Sequence, residues 1–411
     1  MSNPIKNCEL LAPAGNYEKL KIALYFGADA VYLGGKSFSL RSFSDNFTAE
    51  EMRKGVALAH AQGKKAYVTA NIFARNADFS ALSDYFRFLC EIGADAAIVT
   101  DAGAAAIAKA VAPKLGLHLS TQANTTNKYA ARFWYEQGFE RVVLARELSV
   151  AEIAEIHAFC PSLQLEAFVH GAMCISYSGR CLLSNYLAGR DSNRGECVQA
   201  CRWNYEVRAN GGAYHAVEED GRGTYIFNSK DLNMIGYLGE LAAAGVSSFK
   251  IEGRMKSAYY LATVVNAYRR ELDRLQGKSC AFTRSEIEGE LKKCAHRDFT
   301  TAYAFGNNEE TVNYGDSQTK GSCDYIANVL EGGDGAALIE MRNRFRAGET
   351  LEILSPSASC NRRFTVTEMI DGEGNIVTDA KLVQQRLRLA CPYPLSAGDI
   401  LRRPVKICPT E

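Results

Sequence analysis

Apolar runs and polar stretches alternate through the first 255 residues in a loose repeat. Five times a helical stretch ends at glycine and an apolar run follows: Gly27 before VYLGG, Gly63 before AYVTAN, Gly93 before AAIVTD, Gly138 before RVVLAR and Gly245 before SFKIEG. Glycine just past a helix end supplies the left-handed cap, and a short run apolar on both faces suits a buried parallel strand. ELLAPAG at 9–15, LHLSTQAN at 117–124 and LQLEAFVHG at 163–171 bring the expected strands to eight. Helical segments such as Tyr17–Phe26, Ala49–Ala61 and Ser80–Glu91 lie between them. Eight alternating units predict an α/β chain folded as a TIM-type (β/α)8 barrel. An open doubly wound sheet is the alternative, although no GxGxxG spacing supports a dinucleotide fold.

Alternation along each strand sorts the side chains by face. In the seventh strand Glu166, Phe168 and His170 are expected to face the lumen, and in the eighth Lys250 and Glu252. Tyr67, Thr69 and Asn71 share the inner face of the third strand; His118, Ser120 and Gln122 share that of the fifth. Barrel enzymes place their chemistry at the C-terminal ends of the strands. Those ends carry Asn71, Asp101, Gln122, Asn124, Arg146, His170, Lys250, Glu252 and Arg254, with Lys256 just beyond. Glu9, Glu166, Lys250 and Glu252 have a plainer reading as paired charges filling the lumen, since buried charges need partners.

Residues 202–236 read as a hydrophilic hairpin followed by a helix start at Ser229–Asp231, and Ser257–Leu275 as the helix that closes the barrel. The barrel therefore takes residues 1–275, with 174–228 a Cys-rich insertion after its seventh strand. Residues 276–320 are polar and irregular, a linker and crossover. From 321 to 411 short strands separated by turn signals (YIANVL, GAALIEM, ETLEIL, RFTVTEMI, NIVTDA, RLRLAC) predict a small antiparallel β-barrel.

Charge is balanced, 47 basic against 47 acidic residues, so any nucleic acid must meet a local patch. Arg342, Arg344, Arg346, Arg362, Arg363, Arg386, Arg388, Arg402, Arg403 and Lys406 form short basic knots in a segment with eleven basic and twelve acidic residues. Solvated strand faces explain such knots equally well. No signal peptide or membrane-length apolar run is read, and thirteen cysteines without a secretion signal suit a reducing, cytoplasmic setting.

The chemistry concentrates between Glu166 and Trp203. Cys174, Cys181, Cys197 and Cys201 follow one another with six, fifteen and three residues between them in a polar, glycine-rich stretch. Four thiolates on one loop can hold an iron–sulfur cluster or a structural zinc. Zinc loops usually present close C-x₂₋₄-C pairs, which only Cys197 and Cys201 form; the wider spacing favours iron–sulfur but leaves both open. The run Glu166-x-Phe168-x-x-Gly171-Ala172-Met173-Cys174, continued by Gly179-x-Cys181-x-Leu183-Ser184, resembles the signature of peptidase family U32. Residues 193–205, 228–235 and 250–269 are similar to further blocks of that family.

The resemblance implies more than the residues do. Branches of the family act on the wobble uridine of tRNA, on ribosomal RNA or on the ubiquinone ring, and a barrel with one small β domain is similar to the tRNA branch. It implies oxygen-independent 5-hydroxylation of tRNA uridine, prephenate as hydroxyl source, and a 4Fe-4S cluster on Cys174, Cys181, Cys197 and Cys201. Within that frame His170 would relay protons, Lys250, Arg254 and Lys256 would meet prephenate's carboxylates, and Gln122 or Asn124 would read the uracil edge. Glu252, Asn71 and Arg146 complete the expected site, and the basic knots would hold the RNA backbone. The family's name raises a peptidase alternative. No HExxH or GxSxG is present, but Cys174 and His170 are near enough in sequence to form a dyad. A CxxxCxxC spacing is lacking, which argues against radical S-adenosylmethionine chemistry. A nucleic-acid-binding module with a purely structural cluster is the remaining class.

Overall fold

The computed structural model describes residues 4–40, 46–174, 176–203, 229–306, 319–333 and 335–405, with strand residues 207–208, 214–215, 219–220 and 223–224. All eight expected strands form: Glu9–Ala14, Ala30–Gly34, Lys65–Ala70, Ala96–Val99, Gly116–Leu119, Arg141–Val143, Gln164–Ala172 and Val246–Ile251. Each pairs in parallel with the next, and the eighth pairs with both the seventh and the first, closing the barrel. The five glycines of the repeat all sit at positive φ, between +67° and +101°, so the caps read in the sequence are present in the backbone. Leu10, Leu33, Val68, Val99, Leu119, Leu165 and Phe249 bury the outer face of the strands beneath the helices.

The insertion departs from expectation. No helix starts at Ser229; Asp231–Asn233 is a strand, antiparallel to the end of the seventh barrel strand and parallel to Phe299–Thr300. Part of the expected hairpin is seen as the pairs Val207–Arg208 with Tyr214–His215 and Glu219–Asp220 with Gly223–Thr224. The rest of 204–228, and Lys406, lie outside the described residues. The barrel-closing helix, Ala258–Leu275, is capped by Ser257, whose side chain accepts from Tyr260 N. The stretch 276–320, expected to be irregular, contains the helix Arg284–Leu291. Thr283 and Glu286 there satisfy each other's end groups in a capping box.

Residues 323–404 form a curled eight-stranded antiparallel sheet, with Phe345–Arg346 and Asp379–Ala380 as a separate two-stranded pair, around a core of Ile326, Ile339, Phe345, Leu387 and Leu401. Among the described residues its pairings run from edge to edge without closing a ring. A strand absent from the sequence reading, Ile400–Pro404, lies at its centre between Thr350–Leu354 and Cys323–Glu331. Arg402 on that strand is wholly buried. Its guanidinium donates to Glu352 at 2.9 Å and to Glu290 of Arg284–Leu291 at 2.8 Å, fastening sheet to barrel. Tyr25 Oη to Asp399 (2.9 Å) and Arg342 to Glu18 (2.7 Å) join the same surfaces. No described helix is long and apolar enough to cross a membrane.

Candidate functional site

Deep in the lumen the inward carboxylates meet cations. Glu166 accepts from Lys250 Nζ at 2.7 Å and from Arg141 Nη1 at 3.1 Å, and Arg141 reaches Glu9 at 2.7 Å. Ser248 and Tyr67 donate to the same pair of carboxylates. Burial alone would raise the Glu166 carboxyl, but Lys250 and Arg141 outweigh it and hold it at about 2. His118, edge-on to the Tyr67 ring at 4.6 Å, is kept neutral by burial and by Arg141. The paired-charge reading thus describes Glu9 and Glu166. Arg141, outside the expected set, shares strand parity with Val143 and supplies the cation that the two lumen carboxylates require.

Above this layer a cavity opens at the C-terminal mouth, lined by Lys250, Glu252, Arg254, Arg146, Asn71 and Gln122 together with all four loop cysteines. Arg254 donates to Ser39 Oγ at 2.7 Å and to Leu40 O at 3.0 Å. Its guanidinium passes so close to Gly34 that an added Cβ would lie 2.6 Å from Nη2. Arg146 lies over the Phe168 ring at 4.0 Å, donates to Ala172 O at 2.9 Å and comes within 3.9 Å of Glu252. Lys250 caps the Tyr32 ring at 4.5 Å. Gln122 accepts from Thr100, and Asn71 from Leu40 N. Three cations and one carboxylate therefore line the mouth, a charge balance that suits an anionic ligand.

Three expected site residues are placed elsewhere. His170 does not face the mouth. Phe168 pairs with Lys250 but His170 with Ile251, so one extra residue bulges from the seventh strand and turns the ring outward. Gly171, at φ +111°, completes the bend, and the strand end goes on to pair with Asp231–Asn233. His170 is buried among Tyr260, Tyr268 and Phe299, with Nδ1 3.3 Å from Tyr268 Oη. Burial lowers it to about 3, so it stays neutral at working pH rather than poised to relay protons. Asn124, left-handed at φ +52°, does not line the cavity. Its amide donates to Ser178 O at 2.9 Å and its carbonyl accepts from Arg180 at 2.7 Å, so both ends hold the cysteine loop. Lys256 lies over the Tyr260 ring at 5.2 Å, outside the cavity lining.

The loop itself is tied down by polar contacts. Arg194 grips Phe73 O and the Asp78 carboxylate, and Ser192 donates to Cys181 O at 2.7 Å. Cys197 Sγ accepts from Gln199 N at 3.4 Å and from Ser184 Oγ at 3.8 Å, contacts of the kind that stabilise a ligating thiolate. None of the described cysteines is in a disulfide. Among the described residues no three or more His, Cys, Asp or Glu side chains close on a single-ion position. The four cysteines instead all line one cavity, and this all-sulfur donor set could hold an iron–sulfur cluster on Cys174, Cys181, Cys197 and Cys201.

Comparison with known proteins places this architecture. The chain is 40% identical over 405 residues to tRNA hydroxylation protein P1 of Bacillus subtilis (strain 168), covering 97% of this chain and 95% of that one. It is 36% identical to tRNA hydroxylation protein P of Escherichia coli (strain K12), covering 89% and 90%. It is 34% identical to the 23S rRNA 5-hydroxycytidine C2501 synthase of the same bacterium, over 80% of this chain but 46% of that longer one. Peptidase family U32 matches residues 15–314, and the peptidase family U32 C-terminal domain matches residues 321–402. With a family match across the barrel and another across the curled sheet, the chain belongs to peptidase family U32.

Proposed function

We propose that this protein hydroxylates RNA, and specifically the 5-position of the wobble uridine of tRNA. In this reading prephenate, not dioxygen, supplies the hydroxyl group, and a 4Fe-4S cluster sits on Cys174, Cys181, Cys197 and Cys201. Support for the RNA substrate comes from relatives named for tRNA and rRNA hydroxylation, two of them matching nearly end to end. The observation that carries the proposal is the shared cavity: four thiols, three cations and four side-chain amides, Asn71 and Gln122 among them, line one barrel mouth.

A bound cluster would supply one-electron chemistry at that wall. The protein's own groups have separable tasks. Lys250, held from below by Glu166, and Arg254, held by Ser39 and Leu40, present positive charge to a dicarboxylate. Arg146 reinforces them and orients Glu252, the one acidic group at the mouth. Gln122 and Asn71 offer amide edges suited to a uracil. Phe168, under Arg146, keeps the floor apolar and excludes water. The peptidase alternative needs His170 beside Cys174, whereas its ring packs behind the barrel wall against Tyr260 and Tyr268.

The test is anaerobic purification with iron and sulfide analysis, followed by nucleoside mass spectrometry of tRNA from a strain lacking the gene. Loss of 5-hydroxyuridine derivatives, restored by the wild-type chain, is the expected result. Arg254→Ala should weaken prephenate binding with iron content intact. An iron-free yet fully competent protein, or an unchanged nucleoside profile, refutes the proposal.

A further inference from the structure

A second cavity adjoins the mouth and has only Gln122 in common with the site described above. Its walls come from the C-terminal ends of the third, fourth and fifth strands, from the helix Lys128–Glu136 and from the cysteine loop. Phe73 and Trp134 supply two aromatic surfaces, Arg180 a guanidinium, and Asp101 a carboxylate. Gln122 lines both cavities, so the two spaces share one side chain as a partition. Arg180 is positioned rather than loose: Nε donates to Asn124 Oδ1 at 2.7 Å, and the guanidinium carbon lies 5.7 Å from the Phe73 ring centre. Trp134 is braced edge-on by Phe133 and Phe139, each at 5.2 Å. Asp101 Oδ1 caps the following helix through Ala104 N, which fixes the direction of its carboxylate.

An anchored aromatic wall, a guanidinium and a fixed carboxylate make up the chemistry that holds an unstacked nucleobase. The rings take its face; the carboxylate accepts from its edge, and the arginine takes the edge or the phosphate beside it. We infer that this cavity binds the nucleobase adjacent to the one entering the barrel mouth, so that two neighbouring bases of a single-stranded RNA loop straddle Gln122. The inference rests on the RNA-hydroxylation reading and extends it: the enzyme grips a dinucleotide step, not a lone uridine. It also assigns Asn124 a purpose, since the residue that holds the cysteine loop is the one that aims Arg180.

The protein supplies its own probe, because Trp134 and Trp203 are the only two tryptophans. In full-length Trp203→Phe protein purified anaerobically, Trp134 is the single indole reporter. A short single-stranded RNA containing a uridine should quench its fluorescence on binding. The same RNA with an abasic nucleotide beside that uridine should not quench, and should bind about 10-fold more weakly by anisotropy of a labelled end. Arg180→Ala should reproduce the weaker binding with intact RNA while closing the gap between intact and abasic strands. If intact and abasic RNAs bind equally and leave Trp134 unquenched while uridine is still hydroxylated, the second cavity is not a base site and the RNA reading survives. If neither RNA binds, both readings fall together.

Discussion

Replacing Glu166 by Gln tests the charge layer beneath the mouth. The carboxylate is fully buried, with Oε1 accepting from Lys250 at 2.7 Å and Oε2 from Arg141 at 3.1 Å and Ser248 at 3.3 Å. Glutamine preserves the shape, but it removes the charge and turns an N–H₂ toward a cation. Removing one partner of a buried pair costs about 3–5 kcal/mol. Arg141 would keep Glu9 at 2.7 Å, and Lys250 would keep the Tyr32 ring at 4.5 Å, so the loss belongs at the lower end, about 3 kcal/mol. Proton linkage gives the same size, because lowering a carboxyl from 4.5 to about 2 corresponds to roughly 3 kcal/mol. The sign follows from the lowered folded-state value: this stability is fully present above pH 4.5 and is lost as pH falls through about 2. Urea unfolding followed by circular dichroism should therefore show the deficit at pH 7 shrinking steadily below pH 4.5. Adding Lys250→Met removes the orphaned cation and should restore about 1–2 kcal/mol. A single-variant loss under about 1 kcal/mol, or strictly additive losses, would refute the account of the lumen as a mutually neutralised layer.

Three further outcomes are expected. His170 stays neutral in the folded chain down to about 3 while the unfolded imidazole protonates near 6.5, so stability should climb between those values by up to about 1.4 kcal/mol per pH unit. His170→Phe should reduce that slope in urea titrations at pH 5 and pH 7, leaving the share due to buried His118, and an unchanged slope would show that the His170 imidazole does not contribute. Arg402→Met leaves Glu290 to Lys293 and Glu352 to Lys293 and the exposed Arg363, and should cost about 3 kcal/mol. Hydrogen exchange should then quicken first in Cys323–Glu331, and uniform quickening across the barrel would contradict a local fastening role. Gly34→Ala puts a Cβ against Ser39, Thr69 and Arg254 at 2.3–2.7 Å; titration calorimetry should show prephenate affinity falling about 10-fold or more with iron content unchanged.

How far the sequence could be read depended on how far the strand pleat stays regular. The glycine-then-strand repeat was legible because each cap demands a positive φ that other residues seldom adopt, and all five glycines have it. Parity along the strands correctly turned Glu166, Lys250, Thr69 and Gln122 inward, and it held for Tyr67 and His118 in the layer below. It failed at His170, one residue past a bulge, where counting by twos puts a side chain on the wrong face. A glycine directly after that histidine was the available hint, but the cause is the pairing with Asp231–Asn233, some sixty residues downstream. Arg402 eluded the reading for a related reason. Among neighbouring arginines it looks like a solvated knot, and only Glu290 and Glu352, brought in from separate elements, draw it inside. Most of the other knots are likewise paired: Arg344 and Arg346 with Asp379, Arg403 with Asp324 and Glu349, Arg342 with Glu18 and Glu340. Arg362, Lys381 and Arg388 are exposed and carry no ion pair among the described residues, so they are the cations of that segment that a phosphate backbone would meet on the proposed RNA reading. A paired arginine gains little from a phosphate, since it must first surrender a carboxylate. On the proposed RNA reading, the contacts that set specificity are therefore to be sought at the barrel mouth, where Phe168, Asn71 and Gln122 line the cavity.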